Sequence, residues 1–307
     1  MSIIHDVIII GAGPAGYTAA IYTARASLST LMIAGDTPGG QLLLTGDVEN
    51  FPGFKDGISG PALMEEMKAQ AKRFGTELIS EFVTKVELQG KVKTVWVREE
   101  KYQAKTIIIS TGASANWLGL DNEQRLMGHG ISACATCDAF FFRDKEVVVV
   151  GGGDVAMEEA HALTKFASKV YVVHRRDTLR ASKIMQKRAM DDPKIEFIWN
   201  AEVFDVLGKD AVEGVRLRDT QNGSERDFAC QGMFVAIGHT PATSLFKEML
   251  ALDAKGYIKA KDSVLTDIPG VFAAGDVVDA RYRQAITAAG DGCRAALEVE
   301  HYLADQE

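Results

Sequence analysis

Cysteine is scarce in this sequence: there are four in 307 residues, Cys134, Cys137, Cys230 and Cys293. So few thiols exclude a secreted disulfide scaffold, which needs a dense framework of bridges. Two of them form one Cys-x-x-Cys, and the second such pair that a zinc ribbon requires is missing, so no metal site is expected. No apolar run approaches the roughly 20 residues that span a bilayer. The N-terminal run Val7-Ile8-Ile9-Ile10 is too short for the apolar core of a signal peptide, and it enters a glycine turn rather than a cleavage site. Positive charge is in deficit, with 34 Lys and Arg against 42 Asp and Glu and a net charge of −8. Without a basic stripe, neither nucleic acid nor a membrane surface is an expected partner. A cytoplasmic protein is the expectation.

What is there suits a globular enzyme. Apolar residues make up 47% of the chain, and 307 residues suggest about two domains, each with its own core. One long-range echo organises the chain. Asp6-Val7-Ile8-Ile9-Ile10 runs into Gly11-Ala12-Gly13-Pro14-Ala15-Gly16, and Glu146-Val147-Val148-Val149-Val150 runs into Gly151-Gly152-Gly153-Asp154-Val155-Ala156. Each is a β-branched run of strand length, a glycine turn and a helix-compatible segment. Helices are expected over 15–26 and 155–166, followed by strands over 30–34 and 169–174. These are two β-α-β units, so the fold class is α/β with parallel sheets. Further strands are expected over 83–88, 93–98 and 106–110. The stretches 112–122 and 238–241 read as crossings between domains. After the second crossing too little chain remains for a third domain. The economical arrangement has residues 113–242 inserted as one dinucleotide-binding domain into another formed by 1–112 and 243–307.

The chemistry follows from the spacing. In Gly-x-Gly-x-x-Gly after a strand, the first glycine makes the tight turn, the second admits a pyrophosphate, and the third lets helix pack on strand. The helix N-terminus then offers free N–H groups to the phosphates. About one βαβ unit after Gly151, the second strand ends in His174-Arg175-Arg176, with Arg180 one turn on. An acid there would bind a free ribose 2′-hydroxyl, whereas guanidinium forks match a 2′-phosphate, so the second site is expected to prefer NADPH. The first unit ends in Ile33-Ala34-Gly35-Asp36, with no acid at the usual place; either Asp36 is displaced or backbone holds the ribose. Cys134-Ala135-Thr136-Cys137 can close a small disulfide and exchange it with another. Asp138 is either a proton donor and acceptor for the thiolate or a cap for the next segment. Phe140-Phe141-Phe142 is either a contact surface for a partner or packed core. Cys230 and Cys293 read as structural thiols, and His129 and His239 as loop residues.

Taken together, these segments resemble the bacterial low-molecular-weight thioredoxin reductases over essentially the whole length. The resemblance also rests on Gly39-Gly40-Gln41-Leu42, Val48-Glu49-Asn50-Phe51-Pro52-Gly53, Ser110-Thr111-Gly112-Ala113, Val235-Ala236-Ile237-Gly238, Gly275-Asp276-Val277 and Arg283-Gln284-Ala285. It implies two cofactors, FAD and NADPH. FAD is implied at Gly11, Gly13, Pro14, Ala15 and Gly16, along Ala34, Gly35, Gly39, Gly40, Gln41 and Leu42, and near Asn50, Thr111, Gly112, Gly275 and Arg283. Asp276 is implied on the ribityl chain, with Gln284, Ala285 and Ile286 beside the flavin. NADPH is implied at Gly151, Gly153, Asp154, Val155, Ala156, His174, Arg175, Arg176, Arg180, Ile237 and Gly238. The implied catalytic residues are Cys134, Cys137 and Asp138: Cys137 meets the flavin and Cys134 attacks thioredoxin. The resemblance further implies a homodimer, thioredoxin as protein substrate, and rotation of the inserted domain during turnover. Three other readings compete. The flavoprotein subunit of an alkyl hydroperoxide reductase carries an extra region before the first glycine loop, for which no room is expected here. A ferredoxin-driven flavin thioredoxin reductase lacks a working NADPH site, which Arg175 and Arg176 argue against. A non-enzymatic FAD-containing redox sensor would not oxidise NADPH.

Overall fold

The computed structural model describes residues 3–306. The chain divides into two compact units: one holds the chain up to Ser114 and again from Thr240, and the other is Ala115–His239. The chain passes from one unit to the other at 114/115 and back at 239/240, where the sequence suggests 112/113 and 242/243. Both passages lie in short strands, Ala113–Ala115 and His239–Pro241, which pair as a two-stranded ribbon. The buried carboxylate of Glu123 fixes the irregular stretch after it, accepting from the N–H groups of Leu118 at 3.0 Å and Gly119 at 2.8 Å.

The first unit is built on a seven-stranded sheet. Its order is Glu77–Ile79, Thr30–Ile33, Ile4–Ile10, Glu100–Ile109, Lys93–Val97, Val83–Glu87, with Val271–Ala273 also beside Glu100–Ile109. The strand Ile4–Ile10 is parallel to both neighbours, and Val7 through Ile10 are all buried, as expected of a strand covered on both faces. Helices Pro14–Arg25, Gly60–Arg73 and Ala285–Ala304 belong to this unit. Alanines and glycines let the first and last of these approach closely: a Cβ at Gly292 would stand 2.1 Å from the Ala15 carbonyl oxygen. The expected strands 93–98 and 106–110 are arms of one hairpin. It reverses at Arg98, with φ +53°, and the second arm begins at Glu100.

The second unit repeats the scheme with five parallel strands, in the order Ile131–Ser132, Gly232–Val235, Glu146–Val150, Lys169–His174, Ile195–Trp199. Helices Asp154–Leu163 and Lys183–Met190 complete it. A three-stranded antiparallel sheet, Ala201–Leu207, Gly214–Asp219 and Glu225–Ala229, joins the same unit. No helix among the described residues is long and apolar enough to cross a membrane.

Candidate functional site

Three chemical features stand on this frame: two glycine turns and one disulfide. In the first turn, Gly11 has φ +108° and a Cβ there would lie 2.3 Å from the Ser110 carbonyl oxygen. A Cβ at Gly16 would lie 2.1 Å from the Gly11 carbonyl oxygen. These two glycines are filled from inside the protein. Gly13 differs, because a Cβ there would meet nothing within 4 Å. The open position is the one where a pyrophosphate must reach the backbone. Gly13 precedes the helix Pro14–Arg25, whose N-terminus has no side-chain cap, so its free N–H groups are left for a ligand.

Other residues gather at this turn. Gly40 approaches Gly13, a Cβ on it standing 3.6 Å from the Gly13 Cα. Gln41 is exposed and Leu42 packs partly into the core. Gly275, with φ +78°, sits against Ala15, which brings Asp276 to the start of the first helix. The Asp276 Oδ1 is buried without a hydrogen-bond partner. Burial first, then the neighbouring Asp279 and Asp291, push the Asp276 carboxyl up to about 7, against the pull of Arg283. A buried carboxylate oxygen with no donor suits a ligand hydroxyl. Asn50 Nδ2 donates to Gln284 Oε1 at 3.3 Å, joining residues far apart in sequence beside Ala285 and the exposed Ile286. Ala34 is buried, Gly35 and Gly112 have φ +79° and +72°, and the Thr111 hydroxyl donates to the Ala242 carbonyl at 2.8 Å. Arg283, at φ +47°, is turned back onto the Ala280 carbonyl.

The second turn uses the same device. A Cβ at Gly151 would lie 2.5 Å from the Ala236 carbonyl oxygen, Ala156 fills the third position, and Gly153 is open. Val155 packs partly into the core behind it. Arg175, Arg176 and Arg180 are all exposed. Their backbone is pinned: the Arg175 carbonyl accepts from the Thr220 hydroxyl at 3.1 Å and the Arg176 carbonyl from the Asn200 N–H at 3.3 Å. His174 is placed differently. It is buried, a Cβ at Gly152 would stand 2.3 Å from its ring, and its Nε2 faces the Thr178 carbonyl at 3.0 Å. Burial lowers its pKa, so it supports the turn as a neutral ring. Asp154 accepts the Ser182 N–H at 2.7 Å and so fastens the start of the next helix. Ile237 is exposed and Gly238, at φ +106°, follows it at the crossing.

Cys134 and Cys137 form a disulfide at the first turn of the helix Ala135–Asp138. Cys137 is exposed and Cys134 half-buried. Ser132 Oγ accepts the Cys134 N–H at 3.0 Å, and the carboxylate of Glu159 accepts the N–H of the buried Ala135. Sequence reading missed Glu159, which reaches the motif from the helix behind the second glycine turn. Burial raises the pKa of Asp138, which follows Cys137 directly, and a hydrogen bond with Ser132 opposes the shift. The three phenylalanines divide: Phe142 is buried, edge-on to Phe234 at 5.0 Å, while Phe140 and Phe141 are exposed. Cys230 is buried and its thiol is pushed up to about 12, as befits a structural group. The described residues contain no His, Cys, Asp and Glu cluster fit for a metal.

A model of the pyridine nucleotide-disulphide oxidoreductases matches residues 5–292. The chain belongs to that family. It is similar to a thioredoxin reductase of Streptomyces clavuligerus, at 58% identity over 307 residues, covering 99% of this chain and 95% of that one. A bifunctional thioredoxin reductase/thioredoxin of Mycobacterium leprae is 52% identical over 304 residues, 98% of this chain and 66% of its own length. Among solved structures, a thioredoxin reductase of Streptococcus pyogenes MGAS5005 aligns with TM-score 0.96 at 45% identity, covering 99% of this chain and 100% of that one. Members of this family work with FAD and NADPH. The residues present fit both: each unit offers one open glycine between two filled positions, and the first adds a buried carboxylate oxygen awaiting a donor.

Proposed function

We propose that this chain is an NADPH-dependent thioredoxin-disulfide reductase. The observation that carries the reading is the Cys134–Cys137 disulfide, with Cys137 an exposed residue, in the same unit as an open nucleotide turn flanked by exposed arginines. The balanced reaction converts NADPH, a proton and a thioredoxin disulfide into NADP⁺ and a thioredoxin dithiol, two electrons passing throughout. FAD supplies the hydride acceptor that links a two-electron nucleotide to a dithiol.

The protein's part is to bind and to position. The turn Gly11–Gly16, the segment from Ala34 to Leu42, and Asp276 hold FAD, with Asn50 and Gln284 joined at the flavin end. The turn Gly151–Ala156 holds NADPH, and Arg175, Arg176 and Arg180 read its 2′-phosphate. Cys137 meets the flavin, Cys134 attacks the thioredoxin disulfide, and the mixed disulfide is resolved by Cys137. Asp138 delivers the proton to the departing thiolate and takes it back. Phe140 and Phe141 give the incoming protein an apolar landing beside the sulfurs. The mycobacterial relative, whose name joins reductase and thioredoxin in one chain, supports thioredoxin as the substrate.

The disulfide and the NADPH turn lie in one unit and the FAD turn in the other. Hydride delivery needs reacting atoms about 3–3.5 Å apart, and the dithiol must also leave the flavin to meet a protein. The units therefore reorient during turnover, hinged at 112–116 and 238–243. The reading includes a homodimer in the cytoplasm, which sedimentation and cell fractionation check. The deciding experiment is NADPH-dependent reduction of a disulfide dye with and without thioredoxin. Reduction that requires thioredoxin is expected. A yellow protein that leaves NADPH unoxidised in the presence of both would return the sensor reading. Reduction driven by ferredoxin alone would return the other enzyme.

A further inference from the structure

The first unit has no acid at the end of its second strand, so the adenosine half of FAD must be held by something else. The sheet shows where to look. Ile10 is in register with Ile33, and Ile33 with Ile79, so three parallel strands end level at one edge. Ligands of such sheets lie across that carboxyl edge, with the pyrophosphate at the first helix and the ribose at the end of the second strand. The base must then lie one strand further out, over the end of Glu77–Ile79. Strands are about 4.8 Å apart, so that end stands roughly 10 Å from the glycine turn.

Past that end the chain turns through Ser80 and Glu81 to Phe82, the residue just before the strand Val83–Glu87. Phe82 is 61% exposed and belongs to neither of the unit's two apolar cores, so the fold does not use its ring. Its position is nonetheless fixed. The Ala34 N–H donates to the Ile79 carbonyl at 2.8 Å and the Gly35 N–H to the Glu81 carbonyl at 3.1 Å, which ties the two strand ends together. The ring edge lies against Gly35, 3.5 Å from where a Cβ would stand, and φ +79° at Gly35 disfavours any side chain there. Ala34-Gly35 is thus a bare strip, with the glycine turn on one side and an aromatic ring on the other. Neither residue of the strip carries a polar side chain for a ribose.

We propose that Phe82 is a binding residue for FAD, the shelf on which its adenine ring stacks. The proposal rests on the assignment of FAD to the first glycine turn. Stacking replaces the missing acid: every nucleobase offers a π-face to an aromatic ring, and the contact needs no polar partner.

The test is equilibrium titration of the full chain, stripped of flavin, with FAD, ADP and FMN. Phe82→Ala is expected to raise the dissociation constants of FAD and ADP about tenfold, or roughly 1.4 kcal/mol. FMN, which has no adenine, should bind the variant as it binds the parent. Phe82→Trp should restore FAD and ADP binding. Equal weakening of FAD and FMN would make Phe82 a mere prop for the strand end and overturn the proposal, as would unchanged FAD binding. Gly13→Val separates the two levels. If it weakens FAD while Phe82→Ala does not, the shelf fails and the FAD site stands. If neither variant weakens FAD, the site assignment fails first.

Discussion

The two glycine turns are one backbone device used twice, and they differ in everything attached to it. Gly13 and Gly153 are both open, between positions that the protein fills from inside. Around the first turn the protein adds a buried carboxylate, Asp276, and a bare strand end, Ala34-Gly35. Around the second it adds no buried acid but three exposed arginines on a pinned backbone. In the proposed reading the turn recognises a pyrophosphate, which both cofactors share, and selectivity comes from the ends of the neighbouring strands. In that reading, a cofactor that stays bound gains from a buried cradle. One that comes and goes each cycle gains from exposed charge that captures it.

The comparison breaks most sharply at the sulfurs. Cys134→Ser or Cys137→Ser should abolish thioredoxin reduction, while NADPH still bleaches the flavin because the thiols act after it. Stopped-flow absorbance at the flavin band checks this, and wild-type thioredoxin turnover in either variant would refute the assignment. At the turns, Gly13→Val should cost at least tenfold in FAD content with unchanged far-UV circular dichroism, since a side chain there meets only the ligand's space. Gly153→Val should keep FAD and raise the KM for NADPH at least tenfold. Gly16→Val, by contrast, should prevent folding, because its Cβ would stand 2.1 Å from a carbonyl oxygen.

Replacing Arg175 and Arg176 together by Gln should raise the KM for NADPH about tenfold or more and leave that for NADH nearly unchanged. Two charge-assisted contacts of roughly 1.5–3 kcal/mol each, partly screened by water, support that size. Steady-state kinetics with both nucleotides decide it, and an unchanged preference would place phosphate recognition elsewhere.

The smallest effect is a pH slope. The Asp276 carboxyl is raised by burial from an ordinary 3.8 to about 7. A raised carboxyl binds its proton in the folded state while the unfolded chain has lost it, so its contribution to stability is full below about pH 4 and fades as pH rises through 7. Flavin-free protein should therefore lose up to a few kcal/mol between pH 4.5 and 7.5 that Asp276→Asn does not lose. Bound FAD should flatten the difference, because a hydroxyl donated to the carboxylate favours its ionised form. Thermal melts of both proteins at the two pH values measure it.

Much of the site was legible because its signals are local. A β-branched run, a glycine turn and an alanine-rich helix announce a β-α-β unit in about 25 residues, and both units stand where that pattern places them. The placement of Arg175 and Arg176, exposed just past a strand end, was legible because they follow directly on that strand. His174 stands beside them in sequence, but it is the last residue of the strand and its ring turns inward onto Gly152, whereas the arginines lie beyond the strand. Phe140-Phe141-Phe142 left two readings open; the fold buries the third ring as packed core and leaves Phe140 and Phe141 exposed.

Two β-α-β units and the position of the disulfide could be read along the chain alone, because each depends on sequence neighbours. The tertiary structure alone decided which distant groups stand beside these motifs: Glu159 on the Ala135 N–H, Asn50 with Gln284, Gly275 against Ala15, and Phe82 beside Gly35. Those contacts follow from strand order and helix packing, and no local pattern of residues encodes which strand lies next to which.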